Sequence, residues 1–462
     1  MEKFKKILKE DNFLSLAGNA IIAVLGISGF ALLARSLSLE VFGEWVLFIT
    51  AGAFVEMFRF GITNTGLIRY LSGAEASSRY KLIGSNALIG LGATVLVAII
   101  LIVCNYFFSE SISKSGYGLF FIWYPLLAFL NLPWNNALVV LQADREYGKI
   151  LALKAINSGA FFLVILVNYF FLELTLNQLV IALLVINALT SVISLVLGWD
   201  GINHITKASK ETNKTLLNFG KYTTFTLIGT NLLRSADTFI ISLSPLGNAA
   251  VALYSIPLKL TELQQIPLRS FVATAFPKMS KASVQGRVNE VRELFYQYSG
   301  ALTYLFVFLS LFTFVFAEFL VLILSGEQYL KVDPETGFNV VTIVRIFSIY
   351  GLLLPIDRMT GIGLDSINKP NVNALKVLLM VIANVVGDII AIFVFESLVF
   401  VAIASIAFTI VGIWMGMYFL NKEITLSYRE IFRSGTTFYK DMFNKMTNHK
   451  YKHVLEGNRK VN

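Results

Sequence analysis

The chain has 462 residues, 56% of them hydrophobic and only 15% charged, with a mean hydropathy of +0.69 and a net charge of +9. That is more apolar surface than a soluble domain of this size can hide, and the apolar blocks of roughly 20–30 residues can cross a hydrocarbon core of about 30 Å. The chain therefore reads as an integral membrane protein without a sizeable soluble domain.

Taken along the chain, twelve spans are expected, at residues 12–34, 41–63, 83–108, 117–142, 150–172, 176–199, 219–243, 247–277, 297–325, 338–363, 371–394 and 398–420. The basic segment Met1 to Asp11 leads into a run too long for a signal-peptide core, with no A-x-A site after it, so the first span is expected to be retained. Of the 38 Lys and Arg, 28 fall in one alternate set of connections and the C-terminal segment, counting Arg59 and Lys221, near span ends, with the connections beside them. Three fall in the other set (Arg35, Lys114, Lys331) and 7 inside spans. Basic segments stay cytoplasmic, so both termini are expected there. Topology and anionic-lipid contact account for the net charge, which leaves no case for a nucleic-acid partner.

The longest internal loop, Gly201 to Asn218, divides the expected all-α fold into six-helix bundles at 1–200 and 219–421, with 201–218 as a cytoplasmic linker and 422–462 as a basic cytoplasmic tail. Weak internal similarity supports the division: Leu37 to Trp45 aligns with Leu246 to Tyr254, and Ala152-Leu153-Lys154 with Ala374-Leu375-Lys376. Two parallel bundles with a cleft between them are a transporter layout, with substrate held near the midplane.

Chemistry is narrowed by what is missing. One cysteine, Cys104, and three histidines in polar segments, His204, His449 and His453, argue against a thiol-ligated metal, a Cys/His nucleophile and a histidine-based acyltransferase. No G-x-x-x-x-G-K-[ST] loop is present for an ATPase motor, and no cofactor or metal is expected.

The charges inside the spans carry the functional signal. Lys154, Arg234, Lys259, Arg269, Arg345, Arg358 and Lys376 each cost about 2.5–3.5 kcal/mol at the bilayer centre, so they must face a cavity or find partners. Lys154, Arg358 and Lys376 lie near cytoplasmic ends and are expected to snorkel. Arg234 and Lys259 are the deepest, and each has an acid three residues on, Asp237 and Glu262, on the same helical face. They are read as pairs lining a wet cavity, with self-neutralising structural pairs as the alternative.

Pro257 and Pro267 each remove a backbone donor from the eighth span, where Lys259, Glu262, Gln265 and Arg269 recur at helical spacing. A broken, polar-striped helix is expected there, as a cavity wall or gate. Arg269, Arg345, Arg35 and Arg59 complete the candidate cationic set, and Glu56 and Asp388 are further candidate acids for ion coupling. The polar faces Asn12/Ser15/Asn19, Asn131/Asn135/Gln142 and Lys376/Asn384/Asp388 suit either sugar hydroxyls or interhelical hydrogen bonds, and Gly412-x-x-x-Gly416 reads as close helix packing.

The run Arg35 to Trp45 (RSLSLEVFGEW) resembles the polysaccharide flippase branch of the MOP (multidrug/oligosaccharidyl-lipid/polysaccharide) exporter superfamily, the Wzx-type O-antigen flippases. Arg35, Leu37, Phe42, Gly43 and Trp45 match that branch's pattern, with Ser38 in place of its usual Gly. In the second half, Asp237-Thr-Phe-Ile-Ile, Leu246-Gly and Tyr254 resemble its Asp-x-x-x-Ile…Leu-Gly…Tyr pattern.

The resemblance implies a MATE-like fold. It also implies a flippase that moves an undecaprenyl-diphosphate-linked oligosaccharide across the bacterial inner membrane, for O-antigen, lipopolysaccharide or related surface polysaccharide, beside polymerase and assembly proteins. A basic wet cleft suits an anionic diphosphate. Without an ATP motif, energy is expected from a proton or sodium gradient, another protein or consumption of the product. Asp237 and Glu262 are the expected coupling acids: protonated, they release Arg234 and Lys259 to the diphosphate, and ionised, they compete with it. A multidrug or small-lipid antiporter of the same fold is the alternative, disfavoured by the absence of Asp and Glu from residues 12–34. An integral-membrane polymerase or glycosyltransferase is disfavoured by the short external segments, the longest being Gly326 to Gly337.

Overall fold

The computed structural model describes residues 11–71, 75–332 and 338–458, with side chains throughout these except at 11–19, 76, 77, 222, 223, 225, 226, 230, 233, 234 and 445–458. The described residues form α-helices and two short 3-10 turns, with no strand among them. The helices are α1 (Asp11–Ser36), α2 (Leu39–Gly61), α3 (Asn64–Leu71), α4 (Ala76–Lys114), α5 (Gly118–Leu130), α6 (Leu132–Ala143), α7 (Tyr147–Phe171) and α8 (Leu176–Val196). There follow α9 (Lys210–Ser242), α10 (Gly247–Val284), α11 (Val288–Val315), α12 (Ala317–Ser325), α13 (Val340–Ser366), α14 (Pro370–Phe393), α15 (Leu398–Ile424) and α16 (Tyr428–Asn458). Each of the twelve expected spans falls on a helix or, for 117–142 and 297–325, on a helix pair.

Among the described residues eight helices are long and apolar enough to cross a membrane, nine when the bent α5–α6 pair counts as one span. Their outer faces carry large apolar side chains, such as Ile99, Ile102 and Tyr106 on α4 and Phe308 and Leu311 on α11. In water such a surface would be an aggregation hazard, and against lipid tails it costs nothing. The protein is a multi-pass membrane protein. The fully described α10 is not among the eight, because its charged and amide residues dilute the apolar content. Polar helices of this kind are tolerated at membrane depth when they face protein or a wet cavity.

The chain forms two compact units. One holds residues up to Ser255 together with Leu322–Tyr329, and the other holds Ile256–Val321 and the chain from Leu330 onward. In the first unit α1 lies along α7, α7 against α8, α8 against α5 and α6, and α9 against α2, α3 and α4. The segment expected as a linker is docked here. The 3-10 turn Ile202–Lys207 packs on α4, with the His204 ring 4.4 Å from Tyr80 and Lys207 over the same ring at 4.5 Å. Burial, followed by the charge of Lys207, holds His204 below its ordinary pKa. Packing thus changes near Ser255, well beyond loop 201–218.

In the second unit α13 and α14 both pack on α15, and α11 packs on α13 and α16. The core is formed by Leu268, Met279, Phe295, Phe306, Leu354, Met359, Leu364, Leu420 and Ile431. Gly412 and Gly416 on α15 sit against Met380 and Thr360, the close packing expected of that motif. The stretch 422–462, expected as a basic cytoplasmic tail, is helical over its described residues, and α16 docks on α11. One expectation changes: the eighth span is not broken, since α10 runs continuously for 38 residues through Pro257, Pro267 and Pro277.

Candidate functional site

In the first unit the span 117–142 breaks at Asn131, with a bend of 49° between α5 and α6. Pro133 has no N–H and its ring crowds the carbonyl four residues back, which weakens the helix at this point and favours the break. Carbonyls freed at a break inside a membrane protein must be satisfied by neighbouring protein. Ser191 Oγ donates to Leu130 O at 2.5 Å, and Arg59 donates to Ala128 O.

Arg59 is wholly buried in α2. Its guanidinium also donates to Thr94 Oγ1 at 2.9 and 3.2 Å, to Asn131 Oδ1 at 3.1 Å and to Tyr124 OH at 3.5 Å. Asn131 in turn donates through Nδ2 to Glu56 Oε1 at 2.6 Å. One amide at the break therefore links a buried cation to a half-buried acid one helical turn away on α2. Arg59 is buried within α2, where the topological count had grouped it with the cytoplasmic connection that follows. A five-donor planar group suits this place, since no single ammonium could reach four helical neighbours.

The motif residues are brought together by close packing. Gly43 faces the backbone of Asn248, where an added Cβ would lie 2.0 Å from the carbonyl oxygen, so only hydrogen fits. Phe42 is buried between Phe30 and Tyr329, and Trp45 stacks on Phe161 at 5.7 Å. Arg35 donates to the carbonyls of Leu322 at 3.0 Å and Ile323 at 2.5 Å near the C-terminus of α12, where a cation offsets the partial negative charge of the helix end. It also lines a cavity of about 500 Å³ with Tyr169, Glu327 and Gln328. Asp237, buried in α9, accepts a hydrogen bond from Tyr254 OH at 2.8 Å. The two ends of the second motif are thus one contact.

The second unit holds the remaining candidates. Lys259 Nζ and Glu262 Oε2 lie 2.9 Å apart on α10, 27% and 33% exposed. One turn on, Gln264 donates to Thr313 of α11 at 2.6 Å. Arg269 and Arg345 are exposed, the latter 5.8 Å from the Phe314 ring. Asp388 is buried on α14 and accepts from Asn384 at 3.0 Å.

Lys376 does not snorkel. Its Nζ is buried, pairs with Asp357 Oδ1 at 2.6 Å and donates to Asp357 O at 2.8 Å and Thr360 Oγ1 at 3.1 Å, so its charge is met inside the protein. Within the stripe Lys376, Asn384, Asp388, the lysine bonds across to α13, whereas the hydrogen bond between Asn384 and Asp388 runs along α14 itself.

A model of the family described as "polysaccharide biosynthesis protein" matches residues 8–283. The chain belongs to that family. The match takes in both motif runs, Arg35 to Trp45 and Asp237 to Tyr254. A search of curated proteins finds no match.

Solved structures similar to this chain include a multidrug-resistance MATE family transporter of the MOP superfamily in an inward-facing conformation. It is 14% identical with a TM-score of 0.72, covering 91% of this chain and 100% of that one. The lipid II flippase MurJ in an inward closed conformation is 13% identical with a TM-score of 0.67, covering 94% and 93%. A MOP superfamily transporter from Pyrococcus furiosus is 14% identical with a TM-score of 0.56, covering 89% and 93%. The fold of this family member is thus MATE-like and all-α, and its fold neighbours are transporters and flippases.

Within that frame the structure gathers some of the expected site residues and separates others. Lys259 and Glu262 pair as their spacing implied. Asp237 is joined to Tyr254, while the side chain of Arg234, its expected partner, lies outside the described residues, as do those of Asn12, Ser15, Asn19, His449 and His453. Glu56 and Arg59 meet through Asn131, a link the sequence reading missed. Its signal was the Asn131-Leu132-Pro133 run inside an apolar block.

Proposed function

We propose that this protein flips an undecaprenyl-diphosphate-linked oligosaccharide across the bacterial cytoplasmic membrane for surface polysaccharide synthesis. It does so by alternating access, coupled to a proton or sodium ion, and polymerase or assembly proteins use the product. The family match is the observation that carries this reading, since it joins a transporter fold to polysaccharide biosynthesis. The structure adds ionisable side chains of a kind that a lipid-facing helix holds only at high cost: Lys259 and Glu262 part-exposed on α10, Arg59 with Glu56 on α2, and Asp237 on α9.

In this mechanism Lys259, with Arg234, Arg269 and Arg345, holds the diphosphate. Glu262 and Asp237 are the acids whose protonation frees the cations, with Glu56 and Asp388 as further candidates. Arg35 and Arg59 contribute by fixing a helix end and a helix break. Pro257 stands two residues past Ser255, where the chain leaves one compact unit for the other, which supports a hinge there; Pro267 is the second hinge candidate.

The multidrug-antiporter reading draws on fold similarity alone and lacks an acid in residues 12–34. Binding separates the two. Purified protein in detergent is expected to bind a polyprenyl-diphosphate oligosaccharide at least about tenfold more tightly than the same glycan without its diphosphate lipid, a difference of about 1.4 kcal/mol. Preferential binding of a hydrophobic cationic drug would overturn the reading.

A further inference from the structure

The last helix has a surface that its docking leaves open. α15 ends at Ile424, and Thr425, with φ +43°, turns the chain sharply. The turn is pinned, because Leu426 N donates to Asn421 Oδ1 at 2.5 Å and Ser427 N to Tyr296 OH at 2.9 Å. Three residues separate the start of α16 from the end of a helix long and apolar enough to cross a membrane, so α16 begins where the chain is expected to leave the bilayer.

One face of α16 is committed to α11. Ile431 is wholly buried, Tyr439 OH donates to Ala301 O at 2.9 Å, and the helices cross where Gly300 faces Gly435. An added Cβ at Gly435 would lie 2.6 Å from Gly300 O, so the crossing fixes how α16 is rotated.

At 100° per residue the rest of the helix sorts into lines. Phe432 and Phe443, eleven residues apart, share one line beside the docked face, and they are 48% and 66% exposed. Arg429, Arg433 and Lys440 share the next line, all exposed. Glu430 and Asp441 lie beyond it, and Arg433 Nη1 is 3.5 Å from Glu430 Oε1. Apolar rings next to a row of cations, on a helix leaving the bilayer, is the arrangement that lies in a head-group layer with the rings in the acyl boundary and the cations on anionic lipid.

We propose that the Phe432/Phe443 edge of α16 is a membrane-surface contact, with Arg429, Arg433 and Lys440 binding anionic phospholipid head groups. The charge complementarity and the start of the helix at the bilayer edge name the occupant. The inference does not depend on which molecule is transported.

The test uses the full chain with Cys104→Ala in vesicles of phosphatidylcholine with and without phosphatidylglycerol. A fluorophore is attached at Phe443→Cys or at Thr437→Cys, about 120° further round the helix and beyond the cationic line, and nitroxide lipids labelled near the head group act as quenchers. Position 443 is expected to be quenched several-fold more than 437. Changing Arg429, Arg433 and Lys440 together to Gln is expected to reduce that quenching in anionic vesicles and to leave the α11 docking residues and thermal stability unaltered. Equal quenching at 443 and 437 would overturn the proposal, as would quenching indifferent to the glutamine changes or to anionic lipid. Disulfide or bifunctional cross-linking between 443 positions of two copies would assign the face to a dimer instead.

Discussion

Lys376→Met is expected to destabilise the second unit by about 3–5 kcal/mol, because it strands the Asp357 carboxylate where water does not reach. The pair is 3% and 12% exposed, and Lys376 supplies two hydrogen bonds at that spot besides the ion pair. Asp357→Asn should cost a similar amount, since it leaves the ammonium without its counter-charge. The double change Lys376→Met/Asp357→Leu is expected to recover most of the loss, because apolar residues of similar volume commonly replace a buried ion pair at little cost. Thr360 keeps a partner in every variant, since its hydroxyl already donates to Asp357 O at 2.8 Å. Unfolding in detergent, followed by denaturant titration, measures all three. Equal losses in the single and double variants would show that packing volume, rather than the ion pair, is at stake.

Lys259→Ala should behave in the opposite way: the protein stays folded and transport is lost. The Lys259/Glu262 pair is about a third exposed, so removing the cation does not bury a lone charge. If Lys259 holds the diphosphate, the change removes a charge-assisted hydrogen bond of about 1.5–3 kcal/mol, a loss of roughly 10- to 150-fold in affinity. Lys259→Arg keeps the cation and is expected to retain part of the activity. Glycan-lipid flipping measured with thermal stability on the same preparations separates the readings, and normal transport by Lys259→Ala would leave the pair a structural one.

The contrast between these two lysines shows what a single sequence can reveal in this fold. Lys259 and Glu262 were legible because their partnership is local, three residues apart on one helix. Lys376 was not, because Asp357 lies nineteen residues away on the preceding helix, and nearness to a span end pointed to snorkelling instead. Arg59 was misplaced for a similar reason: it closes an apolar block, while its partners Thr94, Tyr124 and Asn131 come from later helices.

The helices themselves were legible, since hydropathy over 20 residues reports length and composition directly. The break at Asn131 escaped because hydropathy counts apolar side chains and takes no account of backbone donors, and Leu132-Pro133 reads as apolar. Docking of α16 escaped because its mixed composition resembles a tail, while its anchor is one glycine against another, Gly435 on Gly300, which no local pattern announces. The polarity of α9 and α10 was visible at once, and the proposed transport site rests on it.

The central claim is tested most directly by leaflet accessibility in vesicles holding purified protein and a polyprenyl-diphosphate oligosaccharide. A glycan-binding lectin is added outside and a pH or sodium gradient is imposed. Lipid-linked glycan placed on one leaflet is expected to become accessible on the other only when the protein is present, faster with the gradient, and without competition from a hydrophobic cationic drug. Gradient-driven movement of the drug with no movement of the glycan lipid would contradict it.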